Sequence, residues 1–351
     1  MKKRMAALTM AIAMTAASLL AGCGNSAASE AVPETDTTAE ITDITFYGVN
    51  DPQISAALIM ADKLGYFKEE GLNVTLQLFT GMDPVGAALS SGEAMIATTN
   101  NYETLLWCAN GAEIKVLTPL ANMAGTQAAA LAPGVEIKSA KDLENLKIGL
   151  QAGSPVTIVF KNMCEELGVD YDKLDFVNLQ PADQFSAMES GDIQVLSAWE
   201  PWITQTINAG GTFLLSGTEA NFPERQGEVD WFDLYNCITV NETFLAENPG
   251  TVKKILTAMA KATDYINDNR ADTVATLAVQ FNLEEAVLTD IMERNDYAMS
   301  VDDRFIASTK YLETYLFEEG FASKKLETAD YTDFTLLKET LPERYTAAEQ
   351  E

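Results

Sequence analysis

The chain contains no histidine. Ser-His and Cys-His nucleophilic mechanisms are therefore excluded, and the commonest general base and metal ligand are missing. The remaining chemistry falls to backbone amides, carboxylates, carboxamides and aromatic rings, and five stretches group such residues. Gly153-Ser154-Pro155 follows the apolar run Ile148–Leu150 and opens an apolar segment at Val156. A small capping side chain followed by proline is a strong helix start, and Asp51-Pro52 and Asp83-Pro84 repeat the device. It leaves the amides of Val156 and Thr157 free to face a guest. A helix N-terminus carries about half a positive charge and favours oxygen-rich, anionic groups, although the same residues also suit a plain structural cap. Thr99 and Asn100 end the strand-like "MIATTN". Asn100 can cap the helix "YETLLWC" with Glu103 closing a capping box, again as a socket or as simple capping. Asn50 and Asp51 end the first strand, and the charge of Asp51 disfavours an anionic guest and suits a donor group. In "SAWEPW", Trp199 can cover an apolar ligand stem and Glu200 can accept from an amine, while Trp202 belongs to core packing. In "WFDLYN", Tyr235 and Asn236 offer a further wall.

These residues need a frame to bring them together. From Ile41 onward strand-like and helix-like segments alternate. "ITDITFYGV", "LNVTLQLF", "MIATT" and "IKVLTPLA" read as strands, with helical "ISAALIMADKLGYF", "PVGAALSSG" and "YETLLWCANG" between them. That order predicts a mainly parallel sheet with helices on both faces. A second series starts near Gln127, with "KIGLQ", "LDFVNL" and "IQVLSAW" as strands. "DLYNCITV" returns to the first unit, and from Thr251 the chain is nearly all helical. Ser91-Gly92-Glu93 and Ser190-Gly191-Asp192 both stand between a helix and a strand, an internal echo expected of two lobes on one plan. The expected fold is α/β with two lobes, 41–127 with 240–345 and 128–239, each a mainly parallel sheet flanked by helices, plus a helical C-terminal segment. Ligands bind beyond the carboxyl ends of strands in open α/β sheets, and in two joined lobes those ends can face each other across a cleft.

Composition narrows the partners. Acidic residues number 52 against 23 basic, a net charge of −29 over 351 residues, which argues against nucleic acid. Lys2, Lys3 and Arg4 precede an apolar stretch to Leu20 that is short for a membrane span. With Leu20-Ala21-Gly22-Cys23 it reads as a secretory signal, 1–22, ending at a lipobox-like site. Cys23 is then the lipidated residue, 23–40 a flexible tether, and the mature protein a lipid-anchored one on the outer face of a bacterial cell membrane. Cys108, Cys164 and Cys237 lack metal-type spacing and read as small buried hydrophobes. No P-loop, Gly-x-Ser-x-Gly or dinucleotide fingerprint occurs, and neither a metal nor a cofactor is expected.

"ALIMADKLGYFKEEGLNVTLQLF", "ALSSGEAMIATTN" and "SGDIQVLSAWEPW" resemble the periplasmic-binding family for nitrate, taurine, alkanesulfonates and thiamine pyrimidine precursors, over about Ile44–Asn269. The resemblance implies a two-lobed periplasmic-binding-protein type II fold and a ligand held between the lobes. It implies a site lined by loops matching Asn50–Gln53, which brings in Gln53, Thr99–Asn100, Gly153–Thr157 and Trp199–Pro201. The implied partners are a small-molecule ligand and the permease and ATPase of an ABC importer, with the protein a monomer. "YGVNDPQ" departs from the "WxPNxxH" of the pyrimidine-precursor binders, and the histidine and cysteine-rich motif of the related pyrimidine synthase are absent.

The leading expectation is a lipid-anchored solute receptor closing by a hinge on a sulfonate, taurine or nitrate, with a sulfonate at Ser154 and an amine near Asp51 or Glu200. A pyrimidine-like aromatic heterocycle over Trp199 is the rival ligand. An enzyme working through paired carboxylates, and an adhesin or scaffold with an unused cleft, are the other classes. One helix end contributes roughly 0.3–2 kcal/mol, whereas micromolar binding needs about 8 kcal/mol. Several contacts in a closed cleft must therefore act together.

Overall fold

The computed structural model describes residues 40–348. The signal segment, Cys23 and the tether up to Ala39 lie outside the described residues. The chain begins with β1 (Asp43–Val49), α1 (Pro52–Lys63), α2 (Tyr66–Glu69), β2 (Asn73–Phe79), α3 (Met82–Ser91), β3 (Ile96–Asn100), α4 (Asn101–Ala109) and β4 (Ile114–Asn122). It then crosses to β5 (Ala128–Leu131) and continues through β6 (Lys147–Leu150), α5 (Val156–Leu167), β7 (Asp175–Asn178), α6 (Pro181–Glu189), β8 (Val195–Ala198) and α7 (Trp202–Asn208). Three short strands, β9 (Thr212–Ser216), β10 (Glu219–Asn221) and β11 (Gln226–Glu228), precede the return strand β12 (Tyr235–Asn241). Helices α8 (Glu242–Glu247), α9 (Pro249–Asp268), α10 (Arg270–Phe281), α11 (Glu285–Glu293), α12 (Asp303–Glu318), α13 (Thr328–Tyr331) and α14 (Thr335–Thr340) complete it. None of the described helices is long and apolar enough to cross a membrane.

Two sheets form, ordered β2-β1-β3-β12-β4 and β11-β10-β9-β5-β8-β6-β7. The α/β architecture is the expected one, but both sheets are mixed. In the first, β1 runs parallel to β2 and β3, while β12 is antiparallel to β3 and β4. In the second, only the β6 pairings with β7 and β8 are parallel. The departure from a mainly parallel sheet has a steric cause. A parallel return needs a crossover of a dozen or more residues, and β9, β10 and β11 are joined by loops far shorter than that, so they pair antiparallel. β12 enters the first sheet at Tyr235, ahead of the boundary at 240 expected from the sequence.

The internal echo is structural. Gly92 ends α3 in the left-handed region, at φ 77°, before β3, and Gly191 follows α6 at φ 81° before β8. Each lets the chain reverse from helix to strand where a Cβ would be strained. Around the first sheet, α1 packs against α9, α10 and α11. The buried stripe of α9, Val252, Ile255, Leu256, Met259 and Ile266, follows the helical period and drives that contact. A smaller cluster of Ala128, Met188, Ile193, Leu196 and Ile203 lies in the second sheet's layer. Trp199 and Trp202 pack on its edge, Trp202 at 6.2 Å from the Phe185 ring.

Candidate functional site

The carboxyl ends of β1, β2 and β3 face those of β6 and β8, and between them lies a cavity of about 130 Å³. The first sheet's side contributes Val49, Asp51, Gln53, Thr80, Met82, Asn100 and Glu103 to its lining, and the second contributes Pro155 and Trp199. The two crossings between the sheets close its floor through Met123, Gln127 and Leu234, and the Met123 amide donates to the Leu234 carbonyl at 2.7 Å.

Local sequence explains each placement. Asp51 caps α1, its carboxylate accepting from the Gln53 amide at 2.7 Å, with Pro52 at the first helical position. The Gln53 side chain is 2% exposed. Its Nε2 donates to both Asp51 oxygens at 3.1 Å and to the Glu200 carbonyl at 3.3 Å, a link between the two sheets' layers. Three acceptors fix which end of the carboxamide is nitrogen, so Oε1 is left as the end with no partner. Asn236 stands behind, its Nδ2 donating to the Gln53 and Ile54 carbonyls, and so holds the start of α1 in place. Asn100 caps α4 by accepting from the Glu103 amide at 2.9 Å. The reciprocal half of the expected capping box is not formed: Glu103 lines the cavity and its buried Oε2 has no partner.

Other candidates lie elsewhere. Asn50 is exposed and outside the lining, its amide tied to the Phe79 carbonyl. Thr99 is buried in a hydroxyl chain with Thr104 and Thr239, at 2.9 and 2.6 Å. At Gly153–Thr157 the Thr157 amide is not free as expected. Ser154 donates to the Gln151 carbonyl and Thr157 to the Ser154 carbonyl, each at 3.1 Å. Ser154 is buried outside the lining and Thr157 half-buried, while Gly153, at φ 76°, offers its carbonyl to the Tyr102 hydroxyl at 2.9 Å. Proline at the cap position shifted the helix start one residue on, so α5 begins at Val156 with no side-chain cap. Likewise α3 is capped by Gly81 and not by Asp83. Pro84 sits in the first turn, where amides are unpaired in any case.

Glu200 is fully buried and accepts from Arg294 at 2.6 Å and from the Thr204 amide at 3.0 Å, so its carboxylate is occupied. Tyr235 is buried with its ring edge-on to Phe305 at 5.0 Å. Glu103, Met82, Thr80 and Gln127 escaped the sequence reading. Glu103 had signalled itself at the third helical position, where it was read only as a capping partner. A wider surface groove of about 760 Å³ lies by Asn122, Gly125, Arg294 and Arg304. Its arginines are already paired, Arg294 with Glu200 and Arg304 with Asp230 and Asp233, and it holds none of the candidate residues.

The cavity is acidic. Burial raises the Asp51 carboxyl to about 6 and the Glu103 carboxyl to about 7, against opposing hydrogen bonds from Gln53 and Asn100. No lysine or arginine is among the described lining residues. Both folded values exceed the unfolded ones of 3.8 and 4.5. The stability these groups contribute is therefore full below the unfolded values and is lost as pH rises through about 6 and about 7. Ligand-free protein should lose stability between pH 5 and 7.5, and Glu103→Gln should flatten that slope by up to about 1.4 kcal/mol per pH unit. Urea titrations across that range check it, an unchanged slope in the variant being the contrary result. Cys108 and Cys164 are pushed up to about 12 by burial, and Cys237 is also raised. The three lie outside the cavity and are poor thiolate formers.

A protein of Bacillus subtilis (strain 168) described as aliphatic sulfonates-binding is 21% identical over 340 residues, spanning 95% of this chain and 96% of its own length. The periplasmic aliphatic sulphonate binding protein SsuA from Escherichia coli shares the fold at TM-score 0.70 and 16% identity, over 89% of this chain and 95% of that one. The desulfurization enzyme DSZB shares it too, at TM-score 0.64 and 15% identity, over 86% of this chain and 99% of its own. The model of a family described as NMT1/THI5 like matches residues 53–272, more than half of the sequence and close to the span of the resemblance read from its motifs, and this chain belongs to that family.

Proposed function

We propose that this chain is the extracytoplasmic solute-binding component of an ABC importer, anchored through lipidated Cys23 and delivering a small organic molecule to a permease and its ATPase. The two sheets with their helices act as lobes, 41–127 with 240–345 against 128–239, and close by a hinge at the two crossings. The observation that carries the reading is the cavity between facing strand ends, with Gln53, nine-tenths buried and more, keeping an unpartnered acceptor there. A buried polar atom without a partner is costly, and a guest that donates to it removes that cost. The curated relative's description as sulfonate-binding favours a sulfonate or taurine. The Trp199 wall and the absence of lysine and arginine from the lining favour the second reading, an amine-bearing heterocycle.

A thermal-shift screen of small organic solutes tests the reading. A guest at 100 times its Kd adds about 2.7 kcal/mol, and at least one solute should raise the melting temperature by several degrees. No shift across a broad panel would oppose it. Closure is held in part by the Tyr102 hydroxyl on the Gly153 carbonyl. Tyr102→Phe removes about 0.5–1.5 kcal/mol of that contact and should weaken solute binding roughly three- to tenfold by calorimetry, with unchanged affinity as the contrary outcome.

A further inference from the structure

We infer that the solute is a small flat cation whose N–H donors face Asp51, Glu103 and the Gln53 Oε1, with its body against Trp199. This rests on the receptor reading and names the chemistry of that site. The lining offers two carboxylates, and no lysine or arginine is among its described residues. Arg294, which reaches the back of the site through Glu200, is neutralised there at 2.6 Å. The carboxyl groups act on one another's surroundings in the same sense. The charge of Asp83 raises the Glu103 carboxyl and that of Glu200 the Asp51 carboxyl, each adding to burial, and the buried Tyr297 hydroxyl is raised by Asp51 in turn. An anion entering this hollow would lose its hydration next to like charge with no countercharge to meet it. The Thr157 amide, one of the two that might have received an anionic head, is already engaged.

Acceptors, by contrast, are waiting. Gln53 Oε1 and Glu103 Oε2 are both buried without partners, and Gln53 is 2% exposed. A donor-rich head such as an amidinium satisfies several acceptors at once through charge-assisted hydrogen bonds. Trp199 supplies an indole wall, the best ring for a cation–π contact, and Met82, Met123 and Pro155 supply apolar surface for a flat body. A cavity of about 130 Å³ suits a single ring with a small head group.

Three ligands with one ring and different heads separate the alternatives: benzamidine as cation, benzamide as neutral isostere, benzenesulfonate as anion. Calorimetry and thermal shift on the wild-type protein at pH 7.5 should rank benzamidine at least tenfold above benzenesulfonate, with benzamide between. Benzamidine stays charged across the range, so its affinity should fall at least threefold from pH 8 to pH 5.5 as Glu103 and Asp51 take up protons. Glu103→Gln should reduce that fall. Equal or tighter binding of benzenesulfonate overturns the cation assignment and leaves the receptor reading standing, as does benzamidine binding that is flat in pH. No binding by any of the three overturns the cation assignment, while the receptor reading is judged by the broad solute panel. The ranking and the pH profile are read on wild-type protein, so the test stands even if the variant fails to fold.

Discussion

Replacing Arg294 by methionine is expected to remove about 3 kcal/mol of stability at pH 7.5, the larger of the two main effects foreseen for this protein. Glu200 is fully buried and its carboxylate meets the Arg294 guanidinium at 2.6 Å. Breaking a buried pair by deleting one partner typically costs about 3–5 kcal/mol, because an uncompensated charge stays inside. The lower end applies here since the Arg294 side chain is about a quarter exposed. Burial already raises the Glu200 carboxyl, and Arg294 is the main opposing influence. Without it the carboxyl rises further, so the variant's deficit should shrink as pH falls and Glu200 takes up a proton. The double variant Arg294→Met with Glu200→Gln should recover most of the loss, since neither partner is then left charged and alone. Urea denaturation at pH 7.5 and 5.5 reads all three. A deficit below about 1 kcal/mol in the single variant would show the pair to be a surface-like one.

The Arg294–Glu200 pair also reaches the site. The Glu200 carbonyl accepts from Gln53 Nε2, so loosening the Glu200–Pro201 turn frees the Gln53 side chain that lines the cavity. Arg294→Met should therefore weaken solute binding as well as folding.

The second large effect belongs to Trp199. Trp199→Ala should weaken solute binding at least tenfold, about 1.4 kcal/mol. The ring is half-buried, seated against the cluster around Ala128 and Leu196 on one side and lining the cavity on the other. Its loss opens the second lobe's wall and removes the large aromatic surface that a flat guest would cover. Trp199→Phe keeps a ring and should stay within about threefold of wild type. Calorimetry with benzamidine distinguishes these outcomes, and equal affinity in wild type and Trp199→Ala would take this residue out of the site.

What could be read from the sequence was what local chemistry determines. Asp51-Pro52 marked the start of α1, Asn100 the start of α4, and the two Ser-Gly-acid turns marked equivalent helix-to-strand reversals, because capping and left-handed glycine act over a few residues. Four of the named candidates, Asp51, Gln53, Asn100 and Trp199, line one cavity for a related reason: strand ends carry loops, and the fold gathers loops there. What could not be read depended on distant partners. Glu200 looked free to meet an amine, but Arg294, 94 residues on, occupies it. Thr99 looked like a strand-end donor, but pleating turned it inward to Thr239 on β12. Ser154 looked like a cap, but the adjoining turn engaged the Ser154 and Thr157 amides. The antiparallel strands β9–β11 left little trace, since strands of three to five residues carry too few positions to show a period.

The central claim is that one small solute is gripped between the sheets by Gln53 and its neighbours on one side and Trp199 on the other. Native mass spectrometry of freshly purified protein tests it most directly, with wild type, Gln53→Ala and Trp199→Ala prepared alike. The account predicts a single small-molecule adduct on wild type, released on denaturation and depleted at least tenfold in both variants. An adduct retained at wild-type occupancy by both would place the guest elsewhere and contradict it.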